Sequence, residues 1–262
     1  YAESMDGIHW VKPKLGFFEH AGSKQNNIVL AEINGQQPHD FSVFKDHNPG
    51  VKPEAKYKAI GYGNNPSGLY AFQSPDGLRW TPMNNSKPVM TGHAFDTQNI
   101  AFWDSRIGKY RSFVRDFDGK IRGIRTATSK DLVNWTRRDW LEYPGTPVEQ
   151  LYTNQILPYY RAPHLLIGFP VRYVDRGWVP GTRRLPSLKQ REQRSRSNKR
   201  YGSAVTDTVL MTSRDGRSFH RWNQAFLRPG LRTRHNWAYG DNYMAWQMVE
   251  TESPEDDSPR EL

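Results

Sequence analysis

The sequence predicts an all-β protein assembled from repeated four-stranded antiparallel units, the arrangement of a β-propeller. Three observations lead to this prediction: a short motif returns four times along the 262 residues, β-rich runs fill the stretches between its copies, and no helical pattern of ten residues is present. Because one such unit cannot bury both of its faces, neighbouring units must stack to complete a core.

The recurring motif has the form Ser-x-Asp-Gly-x-x-aromatic. Its copies span residues 4–10, 74–80, 129–135 and 213–219, with the glycine lost in the third copy and Trp replaced by Phe in the fourth. Ser and Asp side chains hydrogen-bond the local backbone in turns, and glycine accepts a positive φ. The motif therefore predicts a hairpin turn and a structural role for its four aspartates: Asp6, Asp76, Asp131 and Asp215.

The spacing of the copies separates the repeat from its insertions. They begin 70, 55 and 84 residues apart, and the middle interval is the bare repeat. The last interval is longer by 29 residues, the length of the basic segment 172–200, and the first is longer by 15, for which Lys45–Lys56 is the loop candidate. Segment 172–200 carries ten basic and two acidic residues, a net +8 of the chain's +10. Since aromatic residues do not alternate with these arginines, we expect a basic insertion loop and no nucleic-acid partner.

Domain organisation follows from the same repeat. The β-rich runs are residues 56–62, 68–73, 99–103, 109–115, 156–160 and 164–169, and residues 242–249 are predicted as the first strand of a further blade. Residues 1–249 are therefore predicted to form a single β-propeller domain with an incomplete blade at each end. The acidic tail at 250–262 is expected to be poorly ordered.

Composition excludes several classes of protein. A mean hydropathy of -0.84 and the lack of a long apolar run argue against a membrane partner. The absence of cysteine removes disulfides, thiolate nucleophiles and Cys-type zinc sites. Any export signal would lie upstream of Tyr1; we expect a periplasmic or extracellular protein, and a cytoplasmic location is also compatible with the sequence. The sequence does not specify an oligomeric state.

Three acidic residues follow the repeat. The second strands are matched at the centres Ile60, Phe113 and Ile167, and acids lie 20, 17 and 18 residues upstream of these centres. They are Asp40, Asp96 and Glu149. In a propeller the first strand of each blade lines the central channel, so residues at matched positions should meet there. Three acids that converge without an equal number of cations are costly to keep charged. Glycoside hydrolysis, by contrast, needs one protonated and one ionised carboxyl group, and a third can stabilise developing positive charge.

Other interpretations remain open at this stage. Each acid taken singly fits a solvated loop residue or a strand-end cap. Four further acids compete for a site role: Asp46, Asp104, Asp116 and Asp118. Asp104 and Asp118 fall in predicted turns, whereas Asp116 follows a predicted strand and is the leading substitute.

The motifs together resemble a known family. Turns of the Ser-x-Asp-Gly-x-x-Trp type that alternate with blade-initial acids are similar to those of the five-bladed propeller glycoside hydrolases of the furanosidase type, and so are the runs His39–Phe44, Phe95–Asn99 and Leu151–Asn154. These are the invertase-like family 32 and the arabinanase-like family 43, and uncharacterised bacterial family-32-like hydrolases are the most similar. The resemblance covers residues 4–249. The Asn-Asp-Pro-Asn-Gly motif and the Glu-Cys pair of invertases do not occur here.

The resemblance implies roles for the three acids. Asp40 would be the base or nucleophile, Asp96 the stabiliser and Glu149 the general acid of a hydrolase that cleaves a terminal, furanosidic sugar from a carbohydrate substrate. The alternative is a non-catalytic propeller that binds a glycan or a protein. No cofactor is required and no metal ligand set is assigned, although structural calcium would suit a channel lined by carboxylates.

Six further residues are candidates for substrate binding, because they adjoin the acids, end or follow a predicted strand, or open the last strand with an aromatic ring that could stack on a sugar. They are His39, Gln98, Arg115, Asn154, Arg161 and Trp237. Ordinary strand-end polarity and core packing are the competing explanations for each of them.

Overall fold

A computed structural model describes residues 1–228, 230 and 242–250. The protein is mostly β, as predicted, and its strands form three antiparallel sheets. The chain divides into two compact units, one made of Tyr1–Gly92 with the chain from Trp246 onward, the other of His93–Ala245. In the described residues, the helices are all too short to cross a bilayer.

The first unit contains the first sheet. Residues 1–38 carry only isolated bridges, and the sheet that follows has the order β1-β2-β3-β4. Its strands are β1 His39–Lys45, β2 Tyr57–Asn64, β3 Ser67–Ser74 and β4 Thr81–Pro82, and its 3-10 turns are Pro53–Ala55 and Asn84–Ser86. Alternating residues of the central strands supply the buried core, in which Tyr70 and Phe72 pack with Ala59 and with Ile33 of the preceding segment.

The second unit begins with a sheet of the same form. It has the order β5-β6-β7-β8, and every pair of neighbouring strands is antiparallel. The strands are β5 Ile100–Asp104, β6 Lys109–Asp118, β7 Ile121–Ser129 and β8 Asp139–Trp140. The two central strands are long and alternate β-branched or aromatic residues with polar ones, which suits a sheet that packs on both faces.

The third sheet also has four strand positions, but its first two are interrupted. Its strands are β9 Gln150–Leu151, β10 Leu157–Tyr159, β11 Ala162–Gly168, β12 Val171–Asp175, β13 Ala204–Ser213 and β14 His220–Leu227. β11 and β12 pair with the same edge of β13, and Gly168 opposite Met211 and Val171 opposite Thr208 keep one register. β11 and β12 are therefore one long strand broken at 169–170, and β9 and β10 line its other edge in the same way. The four-stranded antiparallel unit is confirmed, and the number of blades stays a prediction.

The predicted insertion lies between the second and third strand positions of the third sheet. Arg172–Asp175 still belong to β12, so the segment that leaves the sheet runs from residue 176 to 203. It contains α1 Pro180–Arg184, α2 Leu188–Ser195 and a 3-10 turn at Lys199–Gly202. These helices are short, which is why no helical period of ten residues could be read from the sequence.

The second and third sheets pack against each other within the second unit. The ring of Phe113 from β6 lies 6.0 Å from the ring of Phe219, at the start of the third sheet's last strand. The Thr97 hydroxyl donates to the Tyr152 carbonyl at 3.4 Å, and the Phe219 N–H donates to the Glu142 carbonyl at 2.9 Å. Stacking of this kind completes a core that neither sheet could close alone.

The repeated motif forms the same turn in each copy. In the second copy the Asp76 carboxylate accepts hydrogen bonds from the backbone N–H groups of Leu78 and Arg79 at 2.9 and 2.8 Å, and Ser74 Oγ accepts one from Gly77 at 2.9 Å. The Trp80 indole donates back to the Gly77 carbonyl at 3.1 Å. Equivalent carboxylate bonds occur in the other three copies. The structural role predicted for the four motif aspartates is confirmed.

The third copy shows how the turn tolerates the loss of glycine. Leu132 takes the glycine position with a φ of 66°, and its side chain is fully buried. Burial would raise the pKa of Asp131 here, but the hydrogen bonds from Asn134 and Val133 outweigh it and lower that pKa to about 2. The carboxylate is thus stabilised by the turn that it builds.

One predicted strand is absent. Residues 242–249, expected to open another blade, carry no strand. The Asn242 N–H donates to Thr206 Oγ1 at 2.7 Å, and Gln247 has a φ of 83°. The apolar alternation of this segment is typical of a strand. However, the Asn242 N–H is bound by a side chain, and Gln247 lies outside the β region of backbone conformation. That prediction is wrong.

The fourth motif copy yields a stability prediction. Gly216 has a φ of 78°, and a Cβ there would lie 2.7 Å from the Arg111 guanidinium, whereas Gly7 in the first copy has the same φ class and open space around it. We expect Gly216→Ala to lower the free energy of unfolding by about 2–4 kcal/mol, and Gly7→Ala, which adds backbone strain alone, by about 1 kcal/mol. Urea unfolding at neutral pH compares the two. Equal losses would show that the Arg111 contact adds nothing to the backbone strain.

Candidate functional site

Asp40 lies in the first unit, at the second residue of β1. Its φ of 50° coincides with an irregularity in the pairing between His39 and Ser42. The Asp40 carboxylate is 2.8 Å from His39 Nδ1, and the His39 ring meets the Tyr62 ring edge-on with centroids 6.2 Å apart. An extra residue in a strand re-aims the neighbouring side chains, and here it sets the two predicted site residues side by side.

Asp96 lies in the second unit, four residues before β5. Its carboxylate, 62% exposed, pairs with Arg115 from β6, whose side chain is buried. Arg115 is itself anchored, since Nε and Nη2 both donate to the Ala94 carbonyl at 3.1 and 3.0 Å. Asp96 is therefore an accessible carboxylate held over a fixed guanidinium, and two of the predicted site residues do meet.

Glu149, just before β9, is held by two arginines. Arg172 Nη1 donates to its Oε1 at 3.0 Å, and Arg221 Nη1 lies 2.8 Å from its Oε2. Arg172 also makes a bidentate ion pair with Asp207, with both N–O distances 2.8 Å. The expectation that the acids lack matching cations is therefore wrong for Asp96 and Glu149, because arginines that are distant in sequence face them from neighbouring strands.

The hydrogen-bond register distinguishes positions that the sequence offsets treat as equal. The second-strand centres pair with Ser42, Ile100 and Leu157, and the three acids lie two, four and eight residues before these partners. In the third sheet, the positions two to four residues before Leu157 are residues 153–155, and all three are buried. Glu149 lies further along the same edge.

The predicted binding residues of the second unit have diverse surroundings. Asn154 is buried, and its Nδ2 donates to the Phe113 carbonyl at 3.3 Å, so that it joins the two sheets. Gln98 accepts a hydrogen bond from Gln155 Nε2. Arg161 lies at the β10–β11 turn with its guanidinium 5.4 Å from the Tyr160 ring centroid, at the opposite end of the strand pair from Glu149. Trp237 lies outside the described residues.

Three of the four competing acids form ion pairs, Asp46 with Lys58 and the other two as follows, whereas Asp118 lines a cavity. Asp116, expected to follow a strand, lies inside β6 and pairs with Arg125 at 2.7 Å and with His93. Asp104 is almost fully buried between Arg106 and Arg111. In the described part of the chain, no three His, Asp or Glu side chains are grouped to hold a metal ion, and structural calcium stays a prediction.

A cavity of about 350 Å³ in the second unit contains Glu149. Its other polar and aromatic lining residues are Asp118, Arg122, Trp140, Tyr143, Thr146 and Arg221. Such a combination of one aromatic face with a few charged and hydroxyl groups is typical of a small-molecule or sugar site. Sequence reasoning missed Arg122, Trp140, Tyr143 and Arg221, since each reads as ordinary strand or turn polarity.

Two details shape this cavity. Gly123 lets the Trp140 ring approach the β7 backbone, because a Cβ at Gly123 would lie 2.8 Å from the ring. The Tyr143 hydroxyl is buried and has no hydrogen-bond partner, and its burial, opposed by the charge of Arg221, raises the pKa of Tyr143. The phenol thus stays protonated and offers an unused donor.

Comparison with known proteins places the fold. No protein-family model matches the chain, and no curated protein matches its sequence. An N-acetylgalactosamine deacetylase from F. plautii, solved in complex with blood group B trisaccharide, is similar with a TM-score of 0.53 and 12% identity over 87% of this chain and 61% of that one. At this identity the likeness shows a shared fold, and this chain spans about three fifths of that protein.

Glycoside hydrolases are also among the structural neighbours. An exo-inulinase from Aspergillus awamori has a TM-score of 0.46 and 15% identity, covering 88% of this chain and 44% of that one. A fructofuranosidase from Schwanniomyces occidentalis complexed with fructose has a TM-score of 0.45 and 15% identity, covering 84% and 40%.

Proposed function

We propose that this protein is a glycoside hydrolase that cleaves a terminal sugar, furanosidic by its resemblance to the family 32 and 43 enzymes, on a five-bladed propeller. The observation that carries the proposal is the cavity around Glu149, which joins two carboxylates to an aromatic face and several donors. A fold shared with a sugar deacetylase that binds a trisaccharide supports it.

The cavity side chains divide the work in a simple way. The Trp140 ring offers an apolar face for a sugar ring, and Arg122, Arg221 and the Tyr143 hydroxyl can donate to its hydroxyl groups. Tyr143 gains most from a bound sugar, because its buried hydroxyl has no partner of its own. Binding and orientation of the terminal sugar are thereby provided by groups already present.

The chemistry requires two carboxyl groups. In our proposal Glu149 protonates the leaving-group oxygen, and a second carboxylate attacks the anomeric carbon or activates a water molecule. Arg172 and Arg221 both contact the Glu149 carboxylate, so the bound sugar must displace one of these arginines before the leaving-group oxygen can reach Glu149.

Three residues are candidates for the second carboxylate. Asp118 lines the same cavity as Glu149. Asp96 and Asp40 have the stabiliser and base or nucleophile roles that the resemblance implies, and both stay predictions. Substitution of each in turn separates them.

The test is a panel of 4-nitrophenyl furanosides and pyranosides, assayed with the wild type and with Glu149→Gln. We expect the variant to lose at least about 100-fold in kcat on whichever glycoside is cleaved, the usual effect of removing an acid catalyst. Glu142→Gln is the matched control, because Glu142 makes an exposed ion pair with Arg217. It should retain activity within about twofold.

Asp40→Asn, Asp96→Asn and Asp118→Asn in the same assay identify the second carboxylate. Full activity in both Glu149→Gln and Asp40→Asn would overturn the site assignment. Failure of the wild type on every glycoside would overturn hydrolysis itself.

Glycan binding without hydrolysis is the second candidate function. It is favoured by the ion pairs of Glu149 with Arg172 and Arg221, because these arginines occupy both oxygens of the carboxylate in the unbound protein. Calorimetric titration with the same sugars distinguishes the two: saturable binding with no released nitrophenol at any pH would support a binding protein.

A further inference from the structure

Three arginines gather on two tyrosine rings beside the cavity. The guanidinium of Arg122, from β7, lies 5.0 Å from the Tyr173 ring centroid and 5.2 Å from that of Tyr152. Arg200, from the 3-10 turn of the 176–203 insertion, lies 5.9 Å from the same Tyr173 ring. Arg115 lies 5.4 Å from the Tyr152 ring. Cations that share the same two rings form one local cluster.

The positive charge of this cluster is not balanced. Arg115 has Asp96, but neither Arg122 nor Arg200 has a carboxylate within 4.0 Å among the described residues. Arg122 is buried, with only 7% of its surface exposed. Its Nη1 donates a hydrogen bond to the amide oxygen of Gln150, which carries no charge. A buried cation is ordinarily paired, so the unpaired Arg122, with the half-buried Arg200 beside it, calls for an explanation.

Unused hydrogen-bond donors lie in the same place. Arg122 Nε, Arg200 Nε and the Tyr173 hydroxyl are all buried and have no partner. Native proteins rarely leave such groups unsatisfied unless water, an ion or a ligand completes them. Burial, together with the charges of Arg200 and Arg115, also lowers the pKa of Arg122, which is the direction expected where an anion is missing.

The cluster adjoins the proposed sugar site. Arg122 lines the cavity that contains Glu149 and Trp140, so an anion bound to Arg122 would lie beside a sugar on Trp140. Arg200 does not line the cavity itself; it lies next to Arg122 because the insertion folds back on the Tyr173 ring of β12. The insertion therefore supplies more than a solvated basic surface.

We propose that Arg122 and Arg200 bind an anionic group of the ligand, and that the sugar recognised in this cavity is acidic. The shared chemistry is an oxyanion, either the carboxylate of a uronic acid or the sulfate of a sulfated sugar, received by guanidinium donors and the Tyr173 hydroxyl. This inference rests on the proposed sugar site, and it does not require hydrolysis.

The experiment measures equilibrium binding of D-glucuronic acid, D-glucose 6-sulfate and D-glucose by calorimetry at low salt. We expect at least one acidic sugar to bind at least tenfold more tightly than glucose, and this preference to fall when NaCl is raised. The acidic sugar that binds more tightly identifies the oxyanion as carboxylate or sulfate.

Variants assign the preference to its residues. Arg122→Gln and Arg200→Gln should each reduce the preference for the acidic sugar at least tenfold. Arg200→Gln, which removes no donor from the neutral-sugar site, should also leave the affinity for glucose within about threefold. Arg183→Gln is the control, since Arg183 lies in the same insertion but is exposed and pairs with Glu192 at 3.8 Å. It should change neither affinity by more than about twofold. Thermal melts show whether each variant is folded. If Arg122→Gln does not fold, Arg200→Gln, which lies outside the sheet core, tests the inference alone.

Equal affinity for acidic and neutral sugars, or an unchanged preference in both variants, would overturn the inference. These outcomes are separate from the fate of the proposed activity. Cleavage of neutral glycosides without acidic preference would remove the inference alone, and acidic preference without cleavage would remove only the hydrolysis.

Discussion

Asp104→Ala is expected to lower the free energy of unfolding by about 3–5 kcal/mol at pH 7. The Asp104 carboxylate is 1% exposed and accepts hydrogen bonds from Arg106 Nε at 2.8 Å and from Arg111 Nε at 2.8 Å. Removing it leaves two largely buried guanidinium groups without their anion. Loss of a buried partner costs more than the pair itself contributes, because the remaining charge keeps its desolvation penalty.

The pH dependence of this effect has a definite sign. Burial would raise the pKa of Asp104, but the hydrogen bonds and charges of Arg106 and Arg111 outweigh burial and lower it below 3.8. A carboxyl group whose pKa is lower in the folded state stabilises the protein fully above the unfolded value. The difference between wild type and Asp104→Ala should therefore be constant near neutral pH and shrink as the pH falls below about 4.

Urea unfolding of the wild type and the variant at pH 7, 5 and 3 measures this difference. Asp139→Ala is the control, because Asp139 is an exposed carboxylate in the same sheet, and its loss should stay within about 0.5 kcal/mol. An Asp104→Ala variant as stable as the control would mean that the two arginines find other partners.

Phe113→Ala is expected to cost about 3–5 kcal/mol, the range for a buried phenylalanine in a packed core. The ring is fully buried, with the rings of Phe102 and Phe219 each 6.0 Å away. Phe219 directly precedes β14 of the third sheet and Phe102 lies in the second sheet, so the cavity left by the substitution would open the contact between the two sheets. The loss should therefore affect the whole second unit.

Thermal unfolding followed by circular dichroism provides the measurement. Phe113→Leu, which keeps most of the side-chain volume, should lower the free energy of unfolding by less than about 2 kcal/mol. Phe226→Ala should lower it by less still, because Phe226 is exposed. If all three variants melt alike, the contact between Phe113 and Phe219 does not hold the sheets together.

The sequence was most informative where the structure depends on neighbours along the chain. Each motif turn closes within seven residues through hydrogen bonds from Ser and Asp to nearby N–H groups, and four copies made the pattern visible. The β-rich runs located the strands β2, β3, β5, β6, β10 and β11 for the same reason, but they did not include the long strands β7, β13 and β14. Strand alternation failed at 242–249, where Thr206 takes a backbone donor of a segment that otherwise reads as a strand.

The candidate site was only partly predictable. Asp96 and Arg115 were both identified and do pair, but Trp140, Tyr143, Arg122 and Arg221 were not singled out because nothing local distinguishes them from other strand residues. Counting residues from one strand to the next does not distinguish loop residues from strand residues. It therefore could not reveal the extra residue in β1 or the interruption between β9 and β10.

By itself, the amino-acid sequence determined that the protein is mostly β, and it determined the repeat, the turn at each motif and the place of the basic insertion. All of these follow from hydrogen bonds and periodicity among residues close in the chain. Only the tertiary structure decided which cations meet which acids. Glu149 is bound by Arg172 and Arg221, 23 and 72 residues away, and Arg122 meets Arg200 across Tyr173. Electrostatic partners depend on distance in space, which the order of residues along the chain does not specify.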